Sequence, residues 1–125
     1  MKIDIPDNYK LYKRDYPVSP VEFYRLQLAF ICPDVNNTKL TIMAYLHHYG
    51  YKEAQQKIME DRIVVSMSSF YNFISNLRKE GLIVGYEDDI KLVEGIILEE
   101  EDHITLLTLT KDYNKDEVGY KHFRV

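Results

Sequence analysis

The sequence predicts an α+β domain in which three to four helices precede a β-hairpin. Three observations carry this. Between residues 20 and 80 the apolar residues recur at intervals of three and four, the spacing of one helix face. At Gly81 that period stops and an alternation of two takes over, the spacing of a strand with one buried face. The length of 125 residues, 46% hydrophobic and 29% charged, suits one domain with a single core.

Residues 1–19 mix Tyr9, Tyr12 and Tyr16 with prolines and charges and show no helical period, so they read as an extended N-terminal arm. Ser19-Pro20-Val21-Glu22 starts the first helix. Ser19 caps it, Pro20 suits its first position, and Glu22 is placed to close a capping box. Pro33 ends it after Cys32. Thr38 is expected to cap the second helix, whose apolar face is Leu40, Met43, Ala44 and Leu46 and whose terminator is Gly50. A third helix over 52–60 places Ala54, Ile58 and Met59 at helical spacing. A fourth starts at Ser66 or Ser68 and closes at Gly81, with Phe70, Phe73, Ile74 and Leu77 as its core stripe.

After Gly81 the alternation predicts a short strand over 82–86, a turn at Glu87-Asp88-Asp89, and a second strand through Ile90, Leu92, Ile96 and Leu98. Glu94 and Gly95 interrupt that strand as a bulge. A second turn, Glu99-Glu100-Glu101-Asp102, leads into a β-rich strand over 103–110. The domain is thus expected over 20–110, with 111–125 as a C-terminal tail in which Tyr120 and Phe123 offer an added strand.

The run Ser69, Asn72, Ser75, Leu77, Arg78, Lys79, Glu80, Gly81, Leu82 and Ile83, following two shorter helices and preceding a hairpin, resembles the winged helix-turn-helix family. The likeness covers roughly residues 38–110. It implies that 68–80 is a recognition helix and that the hairpin is the wing. Within that family the chain looks like small, functionally unassigned winged-helix proteins of tailed phages infecting Bacteroidetes-like hosts. The fold alone does not choose a function, because it serves both DNA and protein contacts.

Charge divides the two. The net charge is −4, but residues 81–110 set one lysine against eight carboxylates, a local −7, while the other 95 residues total +3. A recognition helix that reads bases needs side chains that reach base edges and cations that neutralise phosphate. The outward set here is Ser68, Ser69, Tyr71, Asn72, Ser75 and Asn76, and the cations that could meet phosphate are Lys52, Lys57, Arg62, Arg78 and Lys79. Against them stands an acidic wing of Glu87, Asp88, Asp89, Glu99, Glu100, Glu101 and Asp102. Seven carboxylates on the element that should lie along a phosphate backbone repel it within about 10 Å.

The expectation is therefore a non-enzymatic adaptor or assembly protein. It would bind other proteins in an oligomer or multi-copy structure, with the neck or head–tail region of a phage virion as its setting. The alternative is a sequence-specific DNA-binding regulator using the 68–80 helix. Localisation would be the host cytoplasm or the virion, with no signal peptide and no membrane segment.

Catalytic and cofactor chemistry is not indicated. His47 and His48 are adjacent, about 100° apart on a helix, and not the i, i+4 pair that zinc prefers. Cys32 is the only cysteine, which excludes an internal disulfide. No phosphate-cradling glycine loop, nucleophile elbow or calcium-loop spacing is present, so no catalytic residue, metal, cofactor or small-molecule substrate is expected.

Overall fold

In the computed structural model the backbone is described for residues 2–111 and 120–124 and the side chains for residues 4–111. The chain forms two compact units. One is Val18–Asp102; the other combines Met1–Pro17 with His103–Val125.

The first unit is α+β. It holds helices α1 (Pro20–Ile31), α2 (Asn37–Tyr49), α3 (Tyr51–Glu60) and α4 (Met67–Lys79), then a small antiparallel hairpin. Three of the four helix starts are capped by a side chain, and α3, which follows Gly50, is not. Ser19 Oγ accepts from the Glu22 N–H at 3.2 Å, and Asn36 Oδ1 accepts from the Lys39 N–H at 2.9 Å. Ser66 Oγ accepts from the Ser69 N–H at 3.1 Å. These three contacts each satisfy an orphan donor of a first helical turn.

Two details differ from expectation. Asn36, not Thr38, caps α2. Asn outranks Thr as a cap, and its use lengthens the helix by a turn's fraction. Glu22 does not reach back to its cap; its carboxylate instead holds the Arg25 guanidinium, one turn on.

Helix α2 is the centre of the unit. It lies against α1, α3 and the hairpin, and buries Leu40, Ile42, Met43, Ala44, Tyr45 and Leu46. A helix apolar on every side has to sit in the middle, and six consecutive-looking burials show this one does. Around it Leu28, Ala54, Ile58, Phe70 and Leu77 are fully enclosed. Phe70, Ile74 and Leu77, spaced at four and three, turn one stripe of α4 inward as the sequence predicts.

Helices α3 and α4 both end in the same way. The Ile63 and Arg62 N–H groups bond back to the Ile58 and Met59 carbonyls, and the Leu82 and Gly81 N–H groups to Leu77 and Arg78. This is the Schellman pattern, whose residue after the cap is left-handed and usually Gly. Gly81 (φ +76°) fits that rule, whereas the equivalent residue after α3 is Arg62, at φ +56°. Left-handed backbone costs a residue with a Cβ about 1 kcal/mol. Arg62→Gly is therefore expected to raise the unfolding free energy by about 0.5–1 kcal/mol, read as a higher urea midpoint at unchanged slope.

The hairpin is shorter than predicted. Strand β3 (Ile83–Val84) pairs antiparallel with β4 (Lys91–Leu92), and Ile83 lies opposite Leu92 on the buried face. The acidic turn Glu87–Asp89 is one turn of 3₁₀ helix. Residues 93–96 make a turn rather than a bulge, closed by the Ile96 N–H on the Val93 carbonyl. Residues 97–102 follow as irregular chain.

In its described residues the second unit is strand apart from the turn at residues 7–8. Strands β1 (Lys2–Pro6) and β6 (Tyr120–Arg124) pair antiparallel, as do β2 (Tyr9–Pro17) and β5 (His103–Lys111). The expected extended arm is thus two strands, and the β-rich strand expected after the wing pairs with β2 instead. The tail strand is present as β6, and residues 112–119 lie outside the described residues. Nine cross-strand pairs, from Tyr9–Lys111 to Pro17–His103, make β2 and β5 a long two-stranded ribbon.

Candidate interaction surface on the fourth helix and the hairpin

Because one stripe of α4 is spent on the core, the opposite stripe must face outward. Ser68, Tyr71, Asn72, Ser75 and Asn76 are exposed, and Ser69 is half-buried. Ser69 is also engaged, its hydroxyl accepting from Ser66 Oγ at 3.2 Å within the cap. Asn72 and Asn76 share a shallow depression of about 240 Å³ with Ser69 and Phe73. Five of the six residues expected to face outward are thus open to solvent, and Ser69 only in part.

The cations expected beside that face are mostly occupied. Lys52 Nζ lies 3.7 Å from Asp88, and Lys57 Nζ 3.7 Å from Glu60. Arg78 turns away from the face: its guanidinium donates to the Gly85 carbonyl at 3.0 Å and stacks over the Tyr86 ring, 5.1 Å from its centroid. Such contacts hold the end of α4 against the hairpin turn. Of the five, only Arg62 and Lys79 have neither an ion pair, a side-chain hydrogen bond nor a ring contact among the described residues. The Lys52 and Lys57 pairs are exposed and so weak energetically, but each still places a carboxylate where phosphate would approach.

The surface also gathers aromatic residues, of which the sequence placed only Tyr71 on it. Tyr51 at the start of α3 packs on Phe70, their ring centroids 5.9 Å apart, and Phe70 meets Tyr71 edge-on at 5.8 Å. Gln55 donates to the Tyr71 hydroxyl at 3.3 Å. Burial pushes the Tyr51 hydroxyl above its usual range; Tyr71 and Asp88 add to this and Arg78 opposes it. Those four influences put Tyr51, Tyr71, Arg78 and Asp88 in one neighbourhood. Tyr86 is 76% exposed and Tyr71 53% exposed. The available signal was the sequence spacing of Tyr71 and Arg78, seven apart and so two turns along one side of a helix.

The acidic residues divide into two places. Glu87, Asp88 and Asp89 form the 3₁₀ turn beside α3. Glu99, Glu100, Glu101 and Asp102 lie along α1 instead. Gln27 ties them there, its amide donating to the Glu99 carbonyl at 2.6 Å and accepting from the Glu99 N–H at 2.8 Å. They are not a second tip of the hairpin.

A cleft of about 560 Å³ in the helical unit is lined by Arg25, Asn37, Tyr45, His48, Tyr49 and Asp61, among others. Its polar groups satisfy one another. Arg25 holds Glu22 and donates to Asn37 Oδ1 at 3.0 Å, and the Tyr45 hydroxyl donates to Asp61 at 2.5 Å. Burial and then the Asp61 contact push the Tyr45 hydroxyl far above its ordinary range. Burial likewise raises the Cys32 thiol, the opposite of what a nucleophile needs. His47 meets the edge of Tyr24 at 4.6 Å, and burial lowers its basicity.

Compared with models of known families, with curated proteins and with solved structures, the chain gave no match. Among the described residues no helix is long and apolar enough to cross a membrane.

Proposed function

We propose that this protein is a non-enzymatic adaptor that binds other proteins within a multi-copy assembly. One observation carries the proposal: three of the five cations a DNA-reading face would need are engaged by groups of the molecule itself. Lys52 and Lys57 sit against carboxylates, and Arg78 is committed to Gly85 and Tyr86. What remains outward is polar amide, hydroxyl and tyrosine, next to an acidic turn. Tyr and Arg are the residue types on which protein interfaces concentrate their energy. Tyr71 and Tyr86, with Arg78 stacked on the latter, supply that chemistry. The likeness to small winged-helix proteins of tailed phages supports a virion, at the neck between head and tail, as the setting.

The second reading, a winged-helix DNA-binding regulator, rests on Asn72 and Asn76, whose side-chain amides suit adenine edges. A labelled pool of random duplex DNA titrated at low and moderate salt separates the two. The adaptor reading expects no saturable, salt-sensitive binding. Binding that weakens steeply with salt and is lost in Arg62→Ala/Lys79→Ala would overturn it.

A further inference from the structure

The β2–β5 ribbon presents large apolar side chains to solvent. Residues directly opposite in an antiparallel pair share a face, so Tyr12 with Thr108, Arg14 with Leu106 and Tyr16 with Ile104 lie on one side. Tyr12, Tyr16 and Leu106 are each about two-fifths exposed (38%, 39% and 46%). The Arg14 guanidinium stacks on Tyr12, 5.5 Å from its centroid, and Lys10 belongs to the same face. A two-stranded ribbon left this open in water is marginal unless something packs on it. The face is apolar, aromatic and positively charged.

The helical unit carries its opposite. Phe30 is 87% exposed, Ile97 81%, and Ile31 about half. Chain geometry brings Ile97 within reach of the other two. The Gln27 pairing fixes Glu99 beside the middle of α1, and the Val18 N–H bonds the Asp102 carbonyl at 2.9 Å at the helix start. The chain 99–102 therefore runs back along α1. In the other direction, two residues reach about 7 Å, and α1 climbs that far in four to five residues at ~1.5 Å each. Ile97 is thus within reach of the last turn of α1, where Phe30 and Ile31 stand. Exposed apolar residues grouped in this way mark an interaction site. Its surroundings are acidic: residues 92–102 contain Glu94, Glu99, Glu100, Glu101 and Asp102 and no Lys or Arg.

We propose that the protein self-associates head to tail. The basic β2–β5 ribbon of one copy seats on the acid-rimmed Phe30–Ile31–Ile97 patch of the next. The two surfaces match in both respects that decide an encounter, apolar centre against apolar centre and cationic rim against anionic rim. They are different patches, so the contact is heterologous and repeats until a ring closes or a filament grows. This deepens the adaptor reading and rests on it, naming a second copy of the chain as one of the proteins bound.

The test is the mass of the full chain by sedimentation velocity, at rising concentration and at low and high salt. Wild type is expected to grow with concentration and to dissociate with salt. Lys10→Glu/Arg14→Glu makes both surfaces acidic, and Glu99→Lys/Glu100→Lys/Glu101→Lys, which leaves only Glu94 and Asp102 as carboxylates there, makes both basic. Each variant alone is expected to associate at least about tenfold more weakly. An equimolar mixture of the two restores opposite charges at every contact and is expected to recover association. Phe30→Ser/Ile97→Ser changes only exposed side chains and is expected to weaken association by a similar factor, with an unaltered circular dichroism spectrum. A wild type that stays monomeric overturns the proposal. So does a mixture that stays monomeric, or association untouched in all three variants. The DNA titration is independent of this outcome: a monomer that ignores DNA defeats self-association alone, whereas DNA binding defeats the adaptor reading.

Discussion

Phe70→Ala is expected to lower the unfolding free energy by about 3–5 kcal/mol, the range for deleting a fully buried phenyl ring. Phe70 has no exposed surface and its ring is flanked by Tyr51 and Tyr71. It also belongs to the helix that joins the core to the hairpin, so the cavity would open at the junction of α3 and α4. Tyr71 is the informative control, because it follows directly in sequence but is 53% exposed. Tyr71→Ala is expected within about 0.5 kcal/mol of wild type. Urea unfolding followed by helical signal checks both. Equal midpoints for the two variants would mean that α4 does not present the stripe described.

How much of this could be read beforehand depended on how local the cause was. The α4 stripe was legible because Phe70, Ile74 and Leu77 obey a period that lies within one helix. The Gly81 stop was legible because a left-handed residue after a helix is usually Gly. The cap of α2 was harder. Asn36, Asn37 and Thr38 are all capping types, so residue type alone does not say which of them caps the helix. The partner of β5 was beyond local reasoning. Its pairing with β2 joins residues ~90 to 100 apart, and nothing in the alternation of 103–110 says which strand completes it. The candidate surface divides in the same way. The outward set of α4 followed from the inward one, but the fate of Arg78 depended on where the Gly85 carbonyl lands.

That carbonyl makes Gly85→Ala the second large effect. Gly85 has φ +91°, and a Cβ there would stand 2.3 Å from the Asp89 carbonyl oxygen and 2.9 Å from its carbon. Both are backbone atoms, so no rotamer change relieves the clash and the 3₁₀ turn has to open. Opening it pulls on Ile90, which is buried, and on the Asp89 N–H bond to the Tyr86 carbonyl. It also moves the acceptor that holds Arg78, freeing the one cation of α4 that is turned away from the outer face. The expected cost is about 2–4 kcal/mol, the sum of a left-handed residue with a Cβ and a displaced turn. Gly81→Ala provides the scale. Gly81 is also left-handed, at φ +76°, yet a Cβ there meets nothing within 4 Å, so only the backbone cost of about 1 kcal/mol remains. Amide exchange locates the damage. In Gly85→Ala the Asp89 and Val93 amides should lose protection while the Leu46 and Ile74 amides in the helices keep theirs. If the two glycine variants cost the same, the turn is not packed against Gly85, and the account of Arg78 as the tie between α4 and the hairpin fails with it.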